Sequence, residues 1–564
     1  MTLGAGILWL GVVLSVAATL RPRRSLVAAA AAAMAASTIS LLVGFATEDW
    51  SNTYVVSTTR SGLAWPVRLA GLWGGAEGSL LFFTALVSVG ATIAALLGGR
   101  TQPATALAAA YGVVVLVAAN PFERFDAPAV GGLGLQPVLE HPAMVWHPPI
   151  LYLGFVGAIV PTLLSLGAVG PRLIRRASAV GLAFLTAGLA TGSAWAHAEL
   201  GWGGFWAWDP IESAGLVAWF ATAATLHLRF DHSRLDHRVL FALPGLAAVW
   251  ATTLTRAGLT GSVHAFADRP GLDAGLLVVA AGWTATLVWL VVVPRPEGSG
   301  RNDGGRIEKR QAMYTLTIAA FFIALGTYEP ALERAFGGDS VAIEGVFFTR
   351  MLWPLVIVGC ALSIKADRGF RFAALGGAIG LGLTPLGAGP FGLAVAAAGG
   401  GVAGAAFQAR TGGRPGWLAH VGAGVILIGV AGTMAATSSR VILVKDQPTS
   451  IDGLTVTHRG LELVEEPNQD RAIATVEVER ARLQPELVAH RLRNVPTAEA
   501  ATRRTLLNET QIILSDGTDG QASYRITQTP RLNLIWLGAV MVVLGLTGSR
   551  SRRSGSLETP ALVD

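Results

Sequence analysis

Long apolar runs separated by short basic or aromatic turns fill most of the chain. A helix that crosses a bilayer takes about 20 apolar residues, and by that measure the chain has about fifteen spans. They lie near 3–20, 26–46, 79–98, 103–119, 148–169, 178–198, 213–229, 238–256, 273–294, 312–328, 347–365, 371–386, 388–408, 416–436 and 532–549. Gly- and Ala-rich stretches such as 373–407 suit close helix packing in lipid. The pattern changes between 437 and 531. There Ala474-Thr475-Val476-Glu477-Val478 and Glu509-Thr510-Gln511-Ile512-Ile513-Leu514 alternate, and Asp452-Gly453 and Asp516-Gly517 mark turns, which predicts a small β-rich unit. The expected class is an all-α polytopic membrane protein carrying a β-rich extracytoplasmic domain. It divides into a membrane domain over 1–436, the outer domain over 437–531, a last helix over 532–549 and a tail over 550–564.

Composition agrees with this pattern, since 52% of the 564 residues are hydrophobic and 14% charged. The net charge of +6 is not a nucleic-acid footprint. Arg21–Arg24, Pro171–Arg176, Arg229–Arg238, Arg295–Arg310, Lys365–Arg371, Gln408–Arg414 and Arg550–Arg553 all fall on one side, the cytoplasm by the positive-inside rule. The loops 47–78, 120–147, 199–212, 257–272, 329–346 and 437–531 then face outward. Basic residues follow the first apolar run and none precede it, so 3–20 reads as a retained helix with its N-terminus outside. Cys360 is the single cysteine, which leaves no disulfide and no thiol pair. No phosphate-cradling Gly loop, acidic metal cluster or serine elbow is evident.

The outward segment Gly201-Trp202-Gly203-Gly204-Phe205-Trp206-Ala207-Trp208-Asp209-Pro210-Ile211-Glu212 is the most unusual stretch. Gly-Gly and Asp-Pro interrupt helix, so it reads as a loop or shallow interfacial segment. One or two indoles there would be a membrane-interface anchor. Three indoles and Phe205 beside Asp209 and Glu212 suit a flat apolar floor with charged edges, a seat for a large planar ligand.

The histidines sort by position. His232, His237, His458 and His490 read as solvated, whereas His147 and His264 lie in outward loops on the face of the Trp segment. His227 and His420 fall inside spans of opposite direction at similar depth near the cytoplasmic face. Ionisable groups in a span are costly and mark function by default. Each pair has an ordinary alternative: unrelated loop residues for the outer pair, interhelical hydrogen bonds of about 1 kcal/mol each for the inner. Imidazole suits iron, and two imidazoles facing each other could hold a haem between them.

With these residues in hand, the chain resembles the CcmF/NrfE-type cytochrome c haem lyases. The likeness is carried by Leu72-Trp73-Gly74-Gly75-Ala76-Glu77-Gly78-Ser79-Leu80, Asn120-Pro121-Phe122-Glu123-Arg124, His147-Pro148-Pro149-Ile150-Leu151-Tyr152-Leu153-Gly154, the Trp segment, Gly261-Ser262-Val263-His264-Ala265-Phe266-Ala267 and Asn494-Val495-Pro496-Thr497-Ala498-Glu499-Ala500. It implies that His147 and His264 ligate a transient external haem over Trp202, Trp206, Trp208 and Asp209. It also implies that His227 and His420 hold a second, b-type haem in the membrane. Phe205, Ala207 and Ser213 depart from the usual residues, and His197 stands where Tyr is more familiar, as an auxiliary ligand or an interfacial hydrogen-bonding residue.

The activity implied is addition of two thiols of an apocytochrome Cys-x-x-Cys-His motif across the haem vinyls, on the outer face of a bacterial inner membrane. The implied partners are apocytochrome c, a haem chaperone, a thiol-reducing subunit, quinol as electron source, and lipid. Asp209 and Glu212 could face haem propionates only through protonation or a bridging Arg, since like charges repel. A haem transport or delivery protein without ligation activity is the alternative. A quinone oxidoreductase or ion-coupled transporter would need more paired intramembrane histidines or mid-span charges.

Overall fold

The computed structural model describes residues 2–199, 204–228, 234–260, 262, 271–293, 307–336, 338, 343–367, 370–411 and 416–548. Helices dominate, beginning with Leu3–Leu20, whose N-cap Thr2 accepts a hydrogen bond from the Ala5 amide, and Arg24–Ala46. Pro22, in the turn between them, cannot continue a helix. Ten helices among the described residues are long and apolar enough to cross a membrane, and four shorter apolar helices accompany them. The protein is thus a multi-pass membrane protein, although the fifteen expected spans are not all matched by this measure. The span expected at 213–229 corresponds to Pro210–His227, an Ala- and Thr-rich helix with Glu212 in its first turn.

One apolar core unites the helices Ala76–Leu96, Gln102–Ala118, His147–Ser165, Pro210–His227 and Arg234–Arg256, with Leu80, Phe83, Tyr111 and Phe241 fully buried. Large apolar side chains such as Val117, Val278 and Trp289 remain exposed on helix faces, as expected where lipid replaces water. The later helices meet along glycines. A Cβ on Gly400 would lie 2.0 Å from the Gly376 carbonyl, and one on Gly422 would lie 2.6 Å from the Gly538 carbonyl. Gly-lined seams let backbones touch and gain dispersion contacts where no hydrophobic drive exists.

Between the helices Trp417–Thr433 and Leu532–Thr547 the chain forms two antiparallel sheets. One runs in the order Thr437–Val444, Gln521–Pro530, Asn508–Gly517, Ala501–Arg504. The other runs Thr449–Ile451, Leu454–Glu466, Gln469–Val478, Glu486–His490, Val495–Glu499, with Ala481–Leu483 paired to Gln469–Val478. Alternate residues Val456, Ala474, Val476, Val478, Ile512, Leu514, Tyr524 and Ile526 face a shared core. His458, expected at the surface, is fully buried there. Its Nδ1 pairs with the Tyr524 hydroxyl at 2.8 Å and its Nε2 with the Asp519 carbonyl at 3.1 Å, so its burial leaves no nitrogen unsatisfied.

The β-rich domain is anchored to the helices by polar contacts. Arg493 donates to the carbonyls of Ser57 and Gly134, and Arg531 donates to that of Leu383. His197, at the outer end of helix Pro171–Glu199, meets Glu509 at 2.5 Å with both side chains 1% exposed. Gln511 also donates to the His197 carbonyl at 2.8 Å. His197 is therefore an interfacial hydrogen-bonding residue in this structure.

Candidate functional site

Two imidazoles from distant parts of the chain meet between helices. His227 is the last residue of Pro210–His227, and His420 lies in the first turn of Trp417–Thr433. Their ring centroids are 5.9 Å apart with planes at 82°. Two Fe–N bonds of about 2 Å each, plus about 1 Å from nitrogen to each ring centre, would separate the centroids by about 6 Å. The spacing fits a bis-imidazole iron site.

Ring orientation supports the same fit. Nδ1 of His227 donates to the Ala223 carbonyl at 3.0 Å, and Nδ1 of His420 donates to the Gly416 carbonyl at 2.9 Å. A carbonyl only accepts, so in each neutral ring the proton sits on Nδ1 and the lone pair on Nε2. Histidine ligands are usually oriented by such a second hydrogen bond. His147, first residue of His147–Ser165, follows the same rule, since its Nδ1 donates to the Gly188 carbonyl at 3.0 Å. A Cβ on Gly192 would come 2.4 Å from the His147 ring, so only glycine there admits the imidazole. His197, in contrast, points Nε2 at Glu509, and both nitrogens of His458 are already engaged.

The Trp segment is described from Gly204 onward and is non-helical until Pro210, as its Gly and Asp-Pro signals predicted. Trp202 and His264 lie outside the described residues. Trp208 has φ +58°, a conformation that bulky residues rarely adopt. Stacking holds it there: its ring lies 4.8 Å from Phe348 at an interplanar angle of 5°. Trp206 meets Trp208 edge-on at 5.9 Å, while Phe205 turns to Trp536 at 6.4 Å. The segment is therefore braced by helices Gly345–Asp367 and Leu532–Thr547, with Trp206 and Trp208 at 86° to each other. Glycine again supplies clearance, because a Cβ on Gly345 would lie 2.9 Å from Trp208 Cδ1. Trp206 Nε1 is buried without a hydrogen-bond partner.

The segment's carboxylates serve its geometry. Asp209 Oδ1 accepts from the Ile211 amide at 2.9 Å and from that of Glu212 at 3.4 Å, capping the following helix where its dipole favours negative charge. Glu212 accepts from the Ala207 amide at 3.3 Å, closing the turn from the other side.

Arg256 was not foreseen as a structural node. It is 2% exposed, donates to Ser79 Oγ at 2.9 Å and to the Tyr152 hydroxyl at 2.8 Å, and lies over the Tyr152 ring. It thus joins the Leu72–Leu80 and His147–Gly154 motifs. Its only mark in the sequence was one Arg ending the apolar run 238–256. The former motif is packed tightly: the Tyr54 hydroxyl accepts from the Gly75 amide at 3.0 Å and donates to the Leu72 carbonyl at 3.0 Å.

Residues 73–260 match the family model described as cytochrome C assembly protein. The chain is 28% identical to the cytochrome c-type biogenesis protein ccl1 of Rhodobacter capsulatus, across 93% of this chain and 91% of that one. It is 29% identical to the biogenesis protein CycK of Rhizobium meliloti, across 92% and 88%. Against CcmF of Pseudomonas aeruginosa it is 28% identical, across 55% and 52%. Its fold matches the solved structure titled Cytochrome c Heme Lyase CcmF with a TM-score of 0.72, covering 96% of this chain and 95% of that one at 21% identity.

Proposed function

We propose that this chain, which is similar to cytochrome c-type biogenesis proteins over nearly its whole length, is a haem lyase subunit of the CcmF/NrfE type with one b-type haem in the membrane and one substrate haem outside. The observation that carries the reading is the convergence of His227 and His420, each oriented by an Nδ1–H bond to a carbonyl. These residues would hold a b-type haem, which supplies electrons when bound.

On the outer face, the indoles of Trp202, Trp206 and Trp208, with Phe205 beside them, form the floor for the substrate haem, and His147 and His264 are its axial ligands. Asp209 sets the turn that presents the indoles. The reaction adds each client thiol across one vinyl group: a C–S bond forms, the thiol proton ends on the adjacent vinyl carbon, and no net oxidation occurs. The protein's part is placement, and holding thiol and vinyl in near-attack geometry contributes several kcal/mol. The client histidine then replaces one axial imidazole, which couples attachment to release. Apocytochrome c is the client, a haem chaperone the supplier, a thiol-reducing subunit keeps the client thiols reduced, and quinol is the electron source for the haem iron. The basic loops, read by the positive-inside rule, support an orientation in which the Trp segment and the β-rich domain face outward from a bacterial inner membrane.

Purified protein should show a bis-imidazole haem spectrum that His227→Ala or His420→Ala abolishes. Retention of unchanged haem by both variants would remove the inner site. His147→Ala or His264→Ala should stop thioether-linked holocytochrome from accumulating in co-expressing cells while the inner haem persists. A pure haem-delivery protein would instead yield bound haem and no thioether in a reconstituted mixture with reduced apocytochrome.

A further inference from the structure

A cleft of about 130 Å³, open to its surroundings, lies beside the Trp segment. One wall is the Trp208–Phe348 stack, and Gly326 lets that wall approach, since a Cβ there would lie 2.8 Å from the Phe348 ring. The other side is polar in a way the packing does not explain. Thr327 is 3% exposed and its hydroxyl has no partner; the buried hydroxyl of Thr260 has none either. Thr315 and Thr317 of the same helix, Ile307–Ala335, each donate to the carbonyl four residues back, at 2.9 Å. Thr327 does not take that ordinary bond. An orphaned buried hydroxyl costs about 1–3 kcal/mol unless something satisfies it.

Seven residues beyond Thr327, on the same helix face, Arg334 is exposed and also lines the cleft. It is the only charged residue of that lining among the described residues, and no described carboxylate pairs with it. An aromatic wall opposite two hydroxyls without partners and one guanidinium suits an apolar ring system with acidic arms.

Resting on the haem reading above, we infer that this cleft receives the carboxylate edge of the substrate porphyrin. Arg334 grips one propionate at the mouth and the hydroxyls of Thr327 and Thr260 bond the other. Propionates and vinyls occupy opposite edges of protoporphyrin, so a propionate edge held against helix Ile307–Ala335 turns the vinyl edge outward to the client thiols.

The test is titration of the purified full chain with haem and with haem dimethyl ester, whose propionates carry no charge. Arg334→Ala should weaken haem binding about tenfold, the loss expected for one charge-assisted hydrogen bond, and leave the ester within about twofold. Arg334→Lys should recover part of the loss, and Thr327→Val should weaken haem binding less than Arg334→Ala does. The haem-specific loss should shrink as salt rises. Unchanged melting temperature and monodispersity separate these effects from misfolding. Equal loss for both porphyrins, or loss for neither, overturns the propionate site while leaving the haem reading intact. Failure of the unaltered protein to bind either porphyrin overturns both.

Discussion

A tryptophan with φ +58° sits in a conformation that costs roughly 1–2 kcal/mol for an L-residue. Nothing local favours it, so the ring contacts must hold it: Phe348 beneath, Trp206 at the edge and the bare backbone of Gly345 alongside. Removing any of these should release the indole. Gly345→Ala, which puts a methyl 2.9 Å from Trp208 Cδ1, and Phe348→Ala, which removes the stack, should each lower the yield of thioether-linked cytochrome several-fold. The inner bis-imidazole spectrum should stay intact in both, because neither residue lies in the helices that carry His227 and His420. Loss of the inner spectrum as well would mean that the substitutions act on the fold as a whole.

Among elements, the runs 3–20 and 532–549 were readable from hydropathy alone and appear as Leu3–Leu20 and Leu532–Thr547. The β-rich character of 437–531 was equally plain, since alternation with turn pairs leaves little else. Other features depended on partners that no window of sequence contains. Short helices such as Thr53–Thr58 and Trp65–Ala70 sit in what read as one outward loop. His458 looked solvated among charged residues until Tyr524 and the Asp519 carbonyl were seen to pair with it. The Trp208–Phe348 stack and the Arg256 node join segments far apart in the chain, so local pattern carried no sign of either. The glycine seams were foreseen in kind, but not in which glycines meet. The seam between Trp417–Thr433 and Leu532–Thr547 yields a sharp expectation. Gly538→Leu must push against the Gly422 carbonyl, 2.6 Å from a Cβ there. Splaying that pair should abolish the inner haem spectrum through displacement of His420, whereas Gly382→Leu, which meets no atom within 4 Å, should leave it unchanged.

At the scale of the whole molecule, the junction between the β-rich domain and the helices includes one buried pair, His197 and Glu509. Burial alone would push the Glu509 carboxyl up, but the hydrogen bond and charge of His197, then Arg504, more than offset it and hold it below the usual carboxylate range. A carboxylate with a depressed folded-state pKa contributes stability above its unfolded pKa, near 4.3, and loses it as pH falls through the lower folded value. Once exchange is corrected for its intrinsic pH-dependent rate, amide protection in strand Asn508–Gly517 should therefore be steady from about pH 8 to about pH 5 and fall only below about pH 4. Glu509→Gln should remove that acid dependence. Loosening that sets in already near neutrality would show that another group governs the junction.

His227 and His420 come from opposite halves of the chain and are inserted in order during synthesis, with the whole run between them still to be made when the first enters the bilayer. If the proposed haem needs both imidazoles, it would be retained only once the later helix has docked. Its capture would then report that assembly is complete and would add binding energy to the finished arrangement alone. A stalled or truncated chain would stay colourless and forgo that protection, leaving quality-control proteases a simple distinction between finished and unfinished copies.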